Sequence, residues 1–311
     1  MARPYRFRMT FPPQPPPPKA SDVQLTPRLL ERAAHSISLA LDHADKLLGR
    51  GLDGRGKEQD IVAIKDGVSG PTRDARLRLY ELLHETAELA QCSALDHLRA
   101  LPADLMRDPQ PTFSHLTLAR VAMEAGGMFA YLTDRDVDVR ELLARIAGIQ
   151  MADVDTALRF AESHTERPDL VAAMQQTEQE LLALLDGAGV THRRNKRGQL
   201  IETDLDGHKT SGDMGIAKAA RAFLGHDDHD PYNLLSGGAH SRPWLLRSAR
   251  ETPPDGGSVL YLLWFTKALL TVWLERWAAY TGAELDPPIT KVVQGITITI
   301  QRAAEGDFNS A

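Results

Sequence analysis

The sequence contains a single cysteine, Cys92, and little of the patterning that marks the common enzyme folds. One cysteine cannot form a disulfide within the chain, and the start of the chain lacks the apolar run of a secretory signal. Both features indicate a cytoplasmic protein. A phosphate-binding glycine-rich loop and a nucleophile elbow are also lacking, and no strand alternates with helix. These absences argue against the usual nucleotide-binding and hydrolase folds.

A surplus of positive charge is lacking too. The chain carries 36 Lys and Arg against 42 Asp and Glu, a formal net charge of −6. General attraction to nucleic acid or to an anionic membrane is therefore not expected, which leaves only local basic patches to consider. The one long apolar stretch, 259–274, is shorter than the roughly 20 residues that span a bilayer and has Lys267 near its middle. We expect a core helix there and no membrane partner.

The residues that are present predict a helical protein. Hydrophobic residues make up 42% of the 311 positions and charged residues 25%, as in ordinary globular proteins, and apolar positions recur at helical spacing. The pattern predicts an all-α fold, a single bundle of about eight helices over residues 21–305. Residues 1–20 are predicted to be a disordered basic tail, because the proline-rich run 11–18 favours an extended conformation. Residues 306–311 form a predicted C-terminal tail.

The boundaries of the predicted helices follow from capping residues and from the last apolar position of each periodic run. Residues 49–71 are predicted to be a loop with a short ordered piece at 61–64, and Pro102 is expected to end the second helix. The insertion 187–212 is predicted to be a loop or a small hairpin. The predicted helices span 27–48, 72–101, 114–133, 137–163, 168–185, 213–224, 232–236, 258–280 and 289–301.

The most informative residues are polar side chains at helical spacing within apolar or small-residue segments, where an unpaired polar group is costly to bury. Arg120 and Glu124 lie four residues apart on the helix 114–133 and can pair on one face. Their apolar surroundings leave little room for a solvated side, so we expect a half-buried pair. It either fixes helix packing or presents a guanidinium fork to an anionic group.

A second polar set recurs every four residues as Tyr232, Ser236 and His240. Together with Arg120 and Glu124, these side chains are predicted to form one pocket for a small polar ligand. His240 is the best candidate for a catalytic residue, a general base with Ser236 as its partner, although no Asp at a defined spacing completes a triad. The alternative is a buried hydrogen-bonded cluster that pins a loop.

Metal binding is a further possibility. His226 and His229 lie in an Asp-rich loop and, with His240, would offer three imidazoles to zinc or another divalent metal. Glu81 and His84 have the Glu-x-x-His spacing of di-iron bundles, but a second copy of that motif is lacking. Glu81 is more simply part of an acidic, exposed helix face. The sequence identifies no cofactor.

The only strong basic cluster is the segment 192–197, which contains Arg193, Arg194, Lys196 and Arg197. These side chains are candidates for contacts with the phosphates of RNA or DNA, and such binding weakens as salt increases. A solvated loop is the alternative interpretation.

The segments Ala119-Arg120-Val-Ala-Met-Glu124-Ala and Tyr232-x-x-x-Ser236-x-x-x-His240 resemble motifs in a group of all-helical bacterial proteins, largely actinobacterial, that are distantly similar to the HEPN superfamily. The resemblance covers residues 114–244. It implies a helical bundle and an RNA-cleaving or defence-related activity, because the superfamily includes ribonucleases of toxin and antiviral systems. Those ribonucleases carry Arg and, after four to six further residues, His, and no Arg precedes His240 at this distance.

Three functional hypotheses follow. The first is a cytosolic binding or interaction protein, whose polar pocket holds a small polar ligand or which contacts a protein partner. The second is a HEPN-like enzyme that cleaves RNA with His240, the basic cluster 192–197 guiding the substrate. The third is a metal-dependent helical-bundle enzyme. An open cleft lined by polar groups favours ligand binding, whereas a sealed cluster favours a structural role.

Overall fold

Helices dominate the part of the chain that the computed structural model describes, residues 23–108, 114–164, 166–211 and 256–308. Nine helices and one small sheet account for these residues, so the predicted all-α class and helical bundle are confirmed. The helices are α1 (Pro27–Leu48), α2 (Arg55–Gly67), α3 (Gly70–Leu105), α4 (Ser114–Leu132), α5 (Val139–Ser163), α6 (Pro168–Ala188), α7 (Gly256–Thr281), α8 (Ile289–Val292) and α9 (Gln294–Ala304). The strands are β1 (Val190–Arg194), β2 (Leu200–Leu205) and β3 (His208–Ser211). The predicted tail 1–20 and the predicted helices 213–224 and 232–236 lie outside the described residues.

Helix α1 begins where its sequence predicts. The hydroxyl of Thr26 accepts a hydrogen bond from the backbone N–H of Leu29 at 3.2 Å, and Pro27 occupies the first turn. The apolar stripe from Leu29 to Leu48 is buried against the rest of the bundle. The same periodic reasoning holds for α4, which begins at Ser114 as predicted and buries Gly126 and Gly127 among its small residues.

Helix α3 corrects two predicted boundaries. It begins at Gly70 and continues through Pro102 to Leu105, so the prediction that Pro102 ends this helix was wrong. A proline within a helix removes one hydrogen bond and strains the preceding turn. Leu101, which precedes Pro102, and Leu105, which follows it, are both fully buried. The free energy gained by burying these side chains outweighs the loss of one hydrogen bond.

Helix α2 lies where the sequence predicted a loop with only a short ordered piece. Its buried positions, Gly56, Asp60 and Ile64, recur every four residues as a helix requires. Only one of the three is apolar. A hydrophobic pattern therefore could not reveal this helix, although its spacing is regular.

The insertion predicted as a loop or small hairpin is a three-stranded antiparallel sheet in the order β1-β2-β3. It packs on α5 through two threonines: the hydroxyls of Thr203 and Thr210 lie 2.7 Å apart and lie 2.8 and 3.2 Å from the carbonyl oxygen of Ala144, and their two protons serve two of these three contacts. The turn between β2 and β3 contains Asp206, whose φ of 52° lies in the left-handed region that Asp tolerates. These contacts attach the sheet to one side of the helical bundle.

Helix α7 is the apolar stretch that we predicted to be a core helix, and it packs against α1, α2, α4 and α9. Trp273 and Trp277 are buried, with the ring of Trp273 centred 6.0 Å from that of Phe129. Among the described helices, its part Ser258–Thr281 is the one whose length and composition would suffice to cross a membrane, and 61% of its most apolar window is buried. Helix α7 therefore lies within the core of this fold.

Candidate binding cleft and its buried support

A buried network of two tyrosines, an aspartate and a histidine joins α2, α3 and α7; we call Asp60, Tyr80, Tyr280 and His84 the tyrosine network. Tyr80 donates to Asp60 Oδ2 at 2.9 Å and lies 2.7 Å from the Tyr280 hydroxyl. The Tyr280 hydroxyl also lies 2.7 Å from His84 Nε2. All four side chains are buried.

The number of protons in the tyrosine network fixes their direction. Because Tyr80 donates its proton to the carboxylate of Asp60, its oxygen must accept from Tyr280. Tyr280 has then used its only proton, so its oxygen accepts from the Nε2–H of His84. This order assigns the Nε2–H tautomer to His84 and leaves Nδ1 as a buried nitrogen without a hydrogen-bond partner in the described structure.

Burial shifts every titrating group of the network towards its neutral form. It lowers the pKa of His84 from 6.5 to about 4, with the positive charge of Lys57 acting in the same direction. It raises the pKa of both Tyr80 and Tyr280. The pKa of Asp60 is also raised by burial, and hydrogen bonds from Arg135 and Tyr80 oppose that rise. At neutral pH the imidazole is therefore uncharged.

Two glycines allow α2 to approach α7 closely enough to complete the network. A Cβ at Gly56 would overlap the backbone carbonyl of Tyr280, and a Cβ at Gly54 would overlap the backbone of Thr281. Any larger residue would push α2 away and withdraw Asp60 from Tyr80. The sequence Gly54-Arg-Gly56 is thus a local requirement for the network.

Asp60 faces the network with one oxygen and a surface cleft with the other. Its Oδ1 accepts from Arg135 at 2.8 Å, and Arg135 also donates to Gln59 at 3.0 Å. The guanidinium of Arg135 lies 5.7 Å from the centre of the Tyr280 ring. Asp60 therefore positions Arg135 at the wall of the cleft, and the tyrosine network positions Asp60.

The cleft has a volume of about 560 Å³, within the range of small-molecule sites. Apolar side chains of α2, α5 and the preceding loop line part of it, namely Ile64, Val137, Val139 and Leu143. Its charged wall consists of three arginines and four aspartates: Arg76, Arg135, Arg140, Asp60, Asp66, Asp138 and Asp206. The cleft is thus open, polar and of mixed charge.

Arg76 fixes the wall of the cleft formed by the sheet. Its side chain is 7% exposed and donates twice to Asp206, at 2.8 and 3.1 Å, in the planar geometry that favours Arg–carboxylate pairs. Its Nε donates to the carbonyl of Ala188 at the end of α6. Arg76 therefore joins α3 to α6 and to the β2–β3 turn.

A second buried charge cluster fixes the loop 133–138 that carries Arg135. Arg145 donates to Asp134 at 3.2 Å, to Glu141 at 2.6 Å and to the carbonyl of Tyr131 at 2.8 Å. Arg276 reaches Asp134 at 3.4 Å.

At the end of the loop, Asp138 caps α5. Burial opposes its ionisation, but hydrogen bonds from Arg140 and from two backbone N–H groups hold the pKa of Asp138 below its usual value.

The predicted pair of Arg120 and Glu124 forms as expected. Arg120 Nε lies 2.8 Å from Glu124 Oε1, and the two side chains are 15% and 22% exposed. The prediction of a half-buried pair is confirmed. The other members of the predicted pocket, Tyr232, Ser236 and His240, lie outside the described residues, as do the candidate metal ligands His226 and His229. Their convergence on Arg120 stays a prediction.

The basic cluster 192–197 lies at the end of β1 and in the turn that follows it. Arg194 makes a bidentate pair with Asp155 at 2.7 and 2.9 Å, and Arg193 lies 3.7 Å from Glu202. Lys196 and Arg197 are exposed in the turn. Half of the basic side chains proposed for phosphate contacts are therefore neutralised by neighbouring carboxylates.

Within the described ranges, no group of three His, Cys, Asp or Glu side chains is placed to hold a metal ion. His84, whose spacing from Glu81 matches a di-iron motif, instead bonds Tyr280. Glu81 is exposed, as predicted for an acidic helix face, and Glu85 and Glu88 on the same helix are exposed with it. Comparison of the chain with protein-family models, curated proteins and solved structures found no match.

The cleft was not predicted, because the sequence contains few signals of it. Tyr80 and His84 lie four residues apart on one helix face, but Tyr280 is 200 positions further along the chain. The helix that supplies Asp60 was itself not predicted. A further signal was the segment Thr133-Asp-Arg-Asp-Val-Asp138, which places four charges in six positions where one predicted helix ends and the next begins.

Proposed function

We propose that this protein is a cytoplasmic binding module, and that the cleft between α2, the loop 133–138, the start of α5 and the β2–β3 turn holds a small polar ligand. The observation that carries the proposal is that buried side chains hold the polar groups of the cleft wall in place. Its central ion pair, Asp60 with Arg135, is held from behind by the buried tyrosine network. Fixing polar groups in advance at the edge of an open cavity lowers the ordering cost of binding.

Burying the charged groups around the cleft costs free energy, and stabilising the fold alone does not require this cost. Removing charges from water costs several kcal/mol per ion, and an apolar core of similar volume is often as stable. Here Asp60 and Arg76 are buried at the wall of the cleft, and Arg145 is buried behind the loop 133–138 that carries Arg135. A cost concentrated around one cavity is typical of a functional site.

The experiment is a thermal-shift screen of small polar metabolites against the wild-type protein and two variants of exposed cleft residues, Arg140→Gln and Asp66→Asn. Matched controls are Arg159→Gln, further along the same helix as Arg140, and Asp42→Asn on α1, both on exposed surface away from the cleft. We expect ligands that raise the melting temperature of the wild type and of both controls, with a smaller shift in the cleft variants. Ligands whose effect is equal in all five proteins, or a screen without any ligand, would refute the proposal.

A further inference from the structure

The cleft is bordered by two helix ends of opposite sign. The last turn of the 13-residue helix α2 contributes Ile64, Asp66 and Gly67, and the first turn of the 25-residue helix α5 contributes Val139 and Arg140. A helix carries a partial negative charge at its C-terminus and a partial positive charge at its N-terminus. We call these two sides of the cleft the α5 pole and the α2 pole. At the α5 pole the capping carboxylate of Asp138 already accepts from the backbone N–H groups of Arg140 and Glu141, so any group that binds an anion there must be a side chain.

Side chains supply such groups at the α5 pole. Beside the start of α5, the side chains of Arg135 and Arg140 are 26% and 49% exposed, and their described hydrogen bonds commit two and one of their five N–H donors respectively. Donors remain on both guanidinium groups for an incoming carboxylate. The α5 pole therefore offers accessible N–H donors, on guanidinium groups that are each already paired with one carboxylate, Asp60 or Asp138.

At the other pole, Asp66 differs from the remaining acids of the cleft. Asp60, Asp138 and Asp206 each pair with an arginine, at 2.8 to 3.1 Å. Asp66 is exposed at the end of α2, and the described structure gives it no hydrogen bond or ion pair. It is the carboxylate of this cleft that stays available to a cationic group.

A ligand of one charge only would fit this cleft poorly. The three guanidinium groups are paired with three of the four carboxylates, so a simple anion would be repelled by the unpaired Asp66 and a simple cation would leave the free guanidinium donors unused. A molecule with a carboxylate at one end and an ammonium at the other meets complementary charge at both. The apolar side chains of Val137 and Leu143 line the same cavity and would contact its carbon skeleton.

From these observations we infer that the ligand of the cleft is a zwitterion of the amino-acid type, whose carboxylate binds Arg135 and Arg140 and whose ammonium binds Asp66. This inference rests on the proposed function and specifies the chemical class of its ligand. It also assigns one pole to each end of the molecule.

The test uses three series of compounds with equal spacers of two to six methylene groups: ω-amino acids, diamines and dicarboxylates. Binding to the 311-residue chain is measured by calorimetry. We expect at least one amino acid to bind tenfold or more tightly than the diamine and the dicarboxylate with the same spacer. Equal or tighter binding of either single-charge series would overturn the inference while leaving a polar binding site in place.

Variants then test which pole holds which group. In Asp66→Asn the preference for the amino acid over the dicarboxylate should fall tenfold, and in Arg140→Gln the preference over the diamine should fall likewise. Asp42→Asn and Arg159→Gln should retain both preferences. If no compound of the three series binds but the metabolite screen yields ligands that depend on the cleft, the zwitterion inference fails and the proposed function stands. If neither experiment yields a ligand, both fail.

Discussion

The imidazole of His84 lies between tyrosines, and its burial decides its protonation. Burial lowers its pKa from 6.5 to about 4, with Lys57 adding to the effect and Asp53 opposing it. Between these two values the unfolded chain binds a proton that the folded protein does not. The free energy of unfolding therefore falls as pH decreases through this window, by about 2 kcal/mol from pH 7 to pH 5.

The variant His84→Gln isolates this effect, because a glutamine Nε2 amide can still donate to Tyr280 but does not titrate near neutral pH. We expect its stability, measured by urea unfolding, to lose about 2 kcal/mol less than that of the wild type between pH 7 and pH 5. All other titrating groups are common to both proteins and cancel in the comparison. Parallel profiles would show that His84 keeps its ordinary pKa and is not buried in this network.

Tyr80 and Tyr280 are expected to act as a unit. Tyr80→Phe leaves Asp60 without one of its donors. Tyr280→Phe removes the closer acceptor of His84, which keeps only Tyr80 at 3.3 Å, and also removes the donor to the Tyr80 oxygen. Each change should cost about 1–3 kcal/mol, since each weakens the hydrogen bonding of buried polar groups. The double variant should cost less than the sum, with a coupling of about 0.5 kcal/mol or more. Additive effects in a double-mutant cycle would contradict the continuous order of donors that assigns the His84 tautomer.

At the scale of elements, the contact of α2 with the end of α7 depends on Gly56. Gly56→Ala would place a methyl group against the carbonyl of Tyr280, and we expect a loss of stability of about 1–3 kcal/mol or more from this overpacking. Gly67 in the same helix provides the control, because a Cβ there meets nothing within 4 Å. Gly67→Ala should be neutral or stabilising by up to about 1 kcal/mol.

The stability of both variants is measured by thermal unfolding, followed by circular dichroism. Near-ultraviolet signals from Tyr80 and Tyr280 should change in Gly56→Ala and stay constant in Gly67→Ala, because only the first displaces α2 from the network. A Gly56→Ala protein as stable as the wild type would mean that α2 does not pack this closely on α7.

The elements differ in how far the sequence predicts them, and the reason is physical. Helix α1 is predicted from Thr26 to Leu48 because a cap, a first-turn proline and an apolar stripe all agree. Helix α2 is not predicted, because Gly56 and Asp60 occupy its buried face, where a hydrophobic pattern would require apolar residues. Arg120 with Glu124 is predicted since both lie on one helix. The tyrosine network is not, since its members meet only through tertiary packing.

On the scale of the whole molecule, the cleft has one wall on the helical body and another on the sheet, and Arg76 connects them. Its carboxylate partner Asp206 is 42% exposed, whereas Arg76 itself is 7% exposed. The two ends of this pair should therefore respond differently to mutation. Asp206→Asn leaves a buried guanidinium without its counter-charge, whereas Arg76→Met leaves a carboxylate that water can reach.

We expect Asp206→Asn to destabilise the attachment of the sheet by about 1–3 kcal/mol, and more than Arg76→Met, which retains most of the side-chain volume. Asparagine also tolerates the left-handed backbone at this position, so the comparison reports charge rather than strain. Hydrogen exchange is the measurement: in Asp206→Asn, protection should fall in β2, β3 and the end of α6, and stay unchanged in α1 and α9. Uniform loss of protection across all helices would mean that the sheet and the bundle unfold as one unit, and that the cleft cannot lose one wall while keeping the other.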